Sequence, residues 1–314
     1  MCQFKSGIIL KDRVFIPDYD SHDQMLRELG IDDTLENAGT KFIRAELSPT
    51  DKDIFSDIEG WVLEVDQDTH PDWFVEEVDK KRMVEAVKEW AKNYILVGKN
   101  DFSVSDGKFY LKNCEKVTAH EDSTVKAYGN SEVEAYDNST VTAYDNSKVE
   151  AYDNSEVEAY GNNTVKAYAN STVDAYCNST VKAYANSKVE AYDNSTVAAY
   201  NNSTVKAYDN SEVETCGNSE VGAYNNSTVE AHDNSTVEAH DNSTVEAYSN
   251  STVGAYDNSK VEAYDNSRVT INEFSTNKRE NIDLKENATL KDCKTKTIHQ
   301  SGDWKFVKVG EVNQ

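Results

Sequence analysis

Twenty valines fall at every eighth position from Val117 to Val269, and any fold for the middle of this chain has to accommodate that register. The modal unit is T-V-E-A-Y-D-N-S. Alanine follows each valine by two residues, as at Ala127 and Ala135, with Thr215 and Ile271 as exceptions, and the next position holds fifteen of the eighteen tyrosines. Val and Ala at i and i+2 point one way while Thr or Glu, Glu or Lys, and Tyr point the other, which is a strand period. A helix turning 3.6 residues at a time would scatter the valines around its circumference. The D-N-S segment accepts turn conformations, so each unit reads as a short strand plus a corner. No proline interrupts the array; Pro17, Pro49 and Pro71 all lie upstream.

One unit buries one valine and one alanine, too little to offset ordering eight residues at about 1–2 kcal/mol each. Stability must come from stacking each strand on its equivalent one coil away at about 4.8 Å, so the expected fold is mainly β, an octapeptide-repeat β-solenoid. Two units per coil give a rod of about 48 Å and three a prism of about 32 Å; the thin Val/Ala interior favours two. The Asn column from Asn130 and Asn138 to Asn266 is expected to stack as an amide ladder at the corners.

The array divides the chain into a non-repeating N-terminal α+β domain (1–108), the solenoid (109–276) and a C-terminal cap (277–314). In the first, Gly7–Leu10 and Arg13–Ile16 read as a hairpin, Ser21 as the cap of a helix over His22–Leu29, and Lys41–Leu47 and Trp61–Val65 as strands. Val75–Tyr94 reads as a helix with Val78, Met83, Val84, Val87, Trp90 and Ala91 near one face. Beyond Val269 the apolar residues enlarge (Ile271, Phe274, Ile282, Leu284, Leu290), and Trp304, Phe306, Val307 and Val309 supply the cap.

The net charge of −25 is uneven: residues 109–276 carry 10 basic and 27 acidic side chains. This argues against direct nucleic-acid binding, which uses Lys and Arg on phosphates, and favours a basic protein partner. No apolar run approaches a membrane span, no signal peptide is read at the start, and five scattered cysteines suit a reducing cytoplasm. The N-S-T triplets are therefore read as corners rather than glycosylation sites.

Three groups of residues are candidates for function. Cys2 with His22 as partner base has the form of an N-terminal thiol nucleophile; the duller reading is an inert cysteine. The motifs Asp18-Tyr19-Asp20-Ser21-His22 and Asp66-Gln67-Asp68-Thr69-His70 share the form D-x-D-x-H, so Asp20, His22, Asp68 and His70 are weak metal candidates beside a solvated-loop reading. On the rod, Tyr128, Tyr136, Tyr144, Tyr152 and Tyr160 with Glu134, Glu150, Glu158, Glu230, Glu238 and Glu246 are read as either strand-stabilising ladders or a recognition surface. Thr alternating with Glu and Lys at one position leaves no flat Thr face for ice binding. No phosphate-cradling glycine loop or serine-nucleophile elbow occurs, and no cofactor is implied.

The opening M-C-Q-F-K-S (Met1–Ser6), D-S-H at Asp20–His22 and P-D-W-F at Pro71–Phe74, followed by V-x-A-Y repeats, resemble a group of phage and gut-bacterial proteins. The resemblance implies a phage or prophage setting in a bacterial cytoplasm and that Cys2, His22 and Asp72–Phe74 belong to a shared domain feature, but no substrate. The rod is similar in concept to pentapeptide-repeat proteins whose acidic β-helix imitates DNA, an analogy across different repeat lengths. The expectation is a non-enzymatic acidic β-solenoid that binds a basic partner, for instance a nucleic-acid-binding enzyme it mimics the substrate of, and that can self-associate. The alternatives are a Cys2 enzyme carrying a solenoid arm and a purely structural rod in a virion or scaffold.

Overall fold

A computed structural model describes residues 4–273, 275–301 and 307–308, the last pair as backbone only. The chain is mainly β: a small N-terminal α+β region leads into a β-solenoid of about 11 turns, a stack of about 53 Å at ~4.8 Å per turn.

The N-terminal region is built on an antiparallel sheet of β1 (Lys5–Leu10), β2 (Val14–Phe15), β3 (Phe42–Ser48) and β4 (Val62–Val65) in the order β2-β1-β3-β4. Helix α1 (His22–Glu28) starts at Ser21, whose side chain accepts the Gln24 N–H. A short α2 (Leu35–Ala38), which the sequence reading lacks, starts similarly at Thr34. The long helix α3 (Glu76–Tyr94) buries Met83, Val84, Val87, Trp90 and Ala91 against Ile9, Ile43, Leu47 and Trp61. Val78, expected on that face, is exposed, and Asp79 is buried in the first turn instead. The reason is capping: Val75 offers no side-chain cap, and Asp79 Oδ2 accepts the Val75 N–H at 2.9 Å while Oδ1 takes the Arg82 guanidinium.

The solenoid begins earlier than residue 109. Strand β5 (Ile95–Val97) continues straight from α3, and β5, β6 (Asn100–Ser105), β7 (Lys108–Lys112) and β8 (Glu115–His120) already make parallel pairs one coil apart. Before Val117 and Ala119 these first coils bury Leu96, Val104, Phe109, Leu111 and Cys114 without the Val/Ala alternation, so they carry no octad signature. The wider residues meet the N-terminal region, where Tyr110 packs with Trp90 and Phe55 sits edge-on to Tyr128 at 5.3 Å.

From there the register is sixteen residues: Val133 pairs with Val149, Val149 with Val165, and so on up two parallel sheets. Two octads therefore close one coil. Among the described residues the sheets have 12 and 15 strands, and their inward Val and Ala side chains form one continuous core. Serine is the third inward column: Ser131, Ser139, Ser147 and their successors are as buried as the valines. Most close a Tyr-x-x-Ser turn, as where Ser139 donates both its N–H (3.2 Å) and its hydroxyl (2.7 Å) to the Tyr136 carbonyl, with Cys216, His232 and His240 in the Tyr place before Ser219, Ser235 and Ser243. The expected Asn ladder is not what fills the corners: the Asn side chains are exposed, and the octad's inward polar group is Ser. One asparagine in the Ser position, Asn163, does turn inward and bonds the Ala143 carbonyl, and beyond the octads the buried Asn277 likewise bonds the Ser259 carbonyl. The corner residue before Asn has positive φ throughout, for example Asp145 at 62° and Asp153 at 57°, which explains its Asp, Asn and Gly content. Glycine is required at Gly161 (φ 96°), where a Cβ would lie 3.2 Å from the Asp145 carbonyl.

At the far end Ile282–Leu284 and Thr289–Asp292 still stack in parallel, and the 15-stranded sheet is finished by antiparallel Thr297–Gln300 and Val307–Lys308. Reversing direction ends the exposed parallel edge. Phe274, Trp304, Phe306 and Val309, expected in this closure, lie outside the described residues, as do the side chain of Val307 and all of Cys2. No helix of the described residues is long and apolar enough to cross a membrane.

Candidate interaction face

The outward residues of each strand are fixed by the inward ones. With Ser, Val and Ala inside, the residue between Val and Ala and the tyrosine after Ala both face solvent, and the sixteen-residue register stacks like positions ~4.8 Å apart. Two ring ladders result. Tyr128, Tyr144 and Tyr160 rise on the 15-stranded sheet, Tyr136 and Tyr152 on the 12-stranded one. Centroids are 4.5–5.6 Å apart and the planes lie within 19° along both, with His120, His232 and His240 taking ring positions. The rings therefore use their faces on one another, an arrangement worth about 0.5–1.5 kcal/mol per pair. What they present outward is edges and hydroxyls.

Those hydroxyls organise the carboxylates. Tyr136, Tyr152, Tyr160, Tyr192, Tyr248 and Tyr264 each donate to the glutamate two residues earlier, as Tyr152 does to Glu150 at 2.9 Å and Tyr248 to Glu246 at 2.6 Å. Anionic acceptors and burial hold four of these phenols protonated: Tyr160 is pushed up to about 12, by burial first and then by Glu158, and Tyr152, Tyr192 and Tyr248 also lie well above the usual range. Because the folded chain keeps protons that an unfolded tyrosine releases near pH 10, stability contributed by these groups is complete below pH 10 and lost as pH rises toward 12. A spectrophotometric titration should show the phenols of Tyr152, Tyr160, Tyr192 and Tyr248 ionising above the ordinary tyrosine range and together with loss of β-structure; substituting these four by Phe without removing any late-ionising phenolate would contradict the geometry.

The acidic candidates divide between the sheets. Glu134, Glu150, Glu230 and Glu246 lie on the 12-stranded sheet and Glu158 and Glu238 on the other. Two runs emerge that single-octad reading does not show. Glu158, Asp174 and Glu190 are in register on the 15-stranded sheet, where burial and then the flanking Glu190 and Glu158 raise the Asp174 carboxyl. On the 12-stranded sheet Glu214, Glu230, Glu246, Glu262 and Asp283 occupy five successive coils. Neighbouring charges at ~4.8 Å repel by about 1 kcal/mol in water and several times that near a protein surface. Glu238 has no such neighbours, standing between Gly222 and Gly254.

Elsewhere the structure separates the candidates. Asp20 is engaged by Lys5 Nζ at 2.7 Å. His22 faces Asp66 at 3.5 Å through Nδ1 and the Ala45 carbonyl at 3.3 Å through Nε2, so the two D-x-D-x-H motifs meet through His22 and Asp66. His70 is bonded to the Gln67 carbonyl and packs on Phe74, and Trp73 Nε1 donates to the Thr40 carbonyl. Among the described residues no group of three or more His, Cys, Asp or Glu is placed to hold a metal ion. No family model, no curated protein and no solved structure matches this chain.

Proposed function

We propose that the solenoid is a docking surface for a basic protein, acting by presenting a line of negative charge like that of a nucleic acid. The observation that carries this reading is the stacked carboxylate run Glu214, Glu230 and Glu246, continued by Glu262 and Asp283, which share Lys285. Over residues 109–276, a stack of about 50 Å at ~4.8 Å per coil, 27 acidic against 10 basic side chains leave about one net negative charge per 3 Å, compared with about one per 1.7 Å in duplex DNA. A rigid rod of that charge density steers a cationic groove into contact before any short-range fit is made. The setting is the one the N-terminal motifs imply by resemblance, a phage or prophage protein set against a host nucleic-acid-binding enzyme.

With protamine as the basic probe, affinity should fall at least about tenfold between ~50 and ~200 mM salt, and duplex DNA should compete for the probe. Binding that is independent of salt, or absent at low salt, overturns the proposal.

A further inference from the structure

Four glutamates of the rod already hold a lysine, Glu132 among them with Lys148, and the three that stand two residues before a tyrosine show what the outward surface is shaped to take. Glu150 accepts the Tyr152 hydroxyl on Oε2 and the ammonium of Lys166, one coil on, on Oε1 at 2.7 Å. Glu190 does the same with Tyr192 and Lys206, the latter at 2.9 Å. Lys285, which comes from beyond the octads, places its Nζ 2.7 Å from Glu262 and 2.8 Å from the Tyr264 hydroxyl, and 4.6 Å from the centre of that ring. One seat thus recurs: a carboxylate steered by the tyrosine two residues later, receiving an ammonium from the side. Its in-chain occupants are all lysines, whose compact ammonium suits a single carboxylate better than a guanidinium fork does.

The same Glu-x-Tyr pair stands at Glu246–Tyr248, with histidine replacing tyrosine at Glu230–His232 (3.0 Å). Here the residue one coil on is another acid, Glu262 after Glu246 and Glu246 after Glu230. Next to them, between Lys182 and Glu214 in the same column, the small side chain of Ala198 leaves a depression of about 270 Å³ lined by Thr196, Glu212, Glu214, Thr228 and Glu230. That is an apolar floor with carboxylates on its rim, able to take an alkyl stem and its charged end.

From these seats, their in-chain occupants and the depression, we infer that the Ala198–Glu262 face of the 12-stranded sheet binds an extended, lysine-rich segment of its partner, one lysine stem entering at Ala198 and the following ones seated on Glu230 and Glu246. The inference rests on the docking reading above and specifies the partner's chemistry. In an extended chain, side chains on one side repeat at about 6.7 Å, so three alternate lysines span about 13 Å, close to the ~14 Å of three coils from Ala198 to Glu246.

The test uses the full-length protein and a fluorescein-labelled peptide of alternating Lys and Ser, read by anisotropy at low salt. Glu230→Gln with Glu246→Gln should weaken binding about tenfold, since two exposed charge pairs are worth up to about 2 kcal/mol together. Ala198→Leu, which fills the depression without changing charge, should also weaken it severalfold. The control Glu156→Gln with Glu220→Gln removes the same charge elsewhere and should change affinity less than twofold. Equal weakening by both pairs, or no effect of Ala198→Leu, overturns the inference while leaving a charge-driven docking surface standing; no salt-dependent binding of either peptide or protamine overturns both. The Gln variants relieve repulsion, so loss of folding does not confuse the result.

Discussion

Val189→Asp is expected to lower the stability of the rod by about 3–5 kcal/mol, the range for a buried charge left without a partner. Val189 is 2 % exposed and stacked between Val173 and Val205. Around it the core consists only of Val, Ala and the Ser hydroxyls, of which those of Ser187 and Ser195 already donate to turn carbonyls. Nothing there can ion-pair with a carboxylate, and the core is one side chain deep from each sheet, so the coil must open for the charge to reach water. Opening one coil removes a stacking neighbour from the coils above and below, and no octad is stable without neighbours. The damage should therefore spread along the rod before it reaches the N-terminal region. Urea denaturation gives the magnitude, and amide hydrogen exchange gives the pattern, with protection lost first around residues 173–207. Thr204→Asp, exposed on the next strand of the same sheet, should stay within about 0.5 kcal/mol of the parent. If the two variants are equally stable, the valines do not form the interior.

The ease of that forecast reflects how the array writes its own structure. Strict spacing of Val and Ala fixes strand, face and the need to stack, and the thin interior selects two octads per coil. The buried serines were equally available, because Ser131, Val133 and Ala135 continue one alternation by a further step; reading D-N-S as a polar corner hid the inward hydroxyl and directed attention to Asn. The acidic column was hidden for a different reason. Glu214, Glu230, Glu246 and Glu262 are sixteen apart, and they become neighbours only once the coil closes at two octads. The first solenoid coils were illegible because a junction packed with Leu96, Phe109 and Leu111 obeys local shape rather than the repeat. In the N-terminal region helices and strands were readable from alternation and caps. The partners of its charged residues depend on which loops meet, as where Asp66 of one motif meets His22 of the other.

One such meeting sets the second large effect. Lys5 is 1 % exposed on β1, with its ammonium 2.7 Å from Asp20 Oδ1, 2.9 Å from the Tyr19 carbonyl and 5.0 Å from the centre of the Trp90 ring. Burial holds the lysine below its usual range, with Asp20 opposing that shift. Removing the carboxylate leaves a buried cation, whereas removing the lysine leaves a partly exposed Asp20 that can hydrate and still faces Lys108 at 3.8 Å. The two truncations are therefore unequal: Asp20→Ala should cost about 3–5 kcal/mol and Lys5→Met about 1 kcal/mol or less. The pH dependence carries the same signature. A lysine whose folded value is depressed binds fewer protons when folded, so stability rises as pH climbs from that folded value toward the unfolded value near 10.5. Asp20→Ala deepens the depression, so this variant should recover stability toward pH 10 more than the parent does, while Lys5→Met should show no such recovery. Urea titrations followed by the fluorescence of Trp61, Trp73 and Trp90, at pH 7 and pH 10, separate the three proteins. Equal losses for Asp20→Ala and Lys5→Met, with no pH-dependent recovery, would mean that the ammonium is hydrated and that the anchor between β1 and the loop before α1 is an ordinary surface pair.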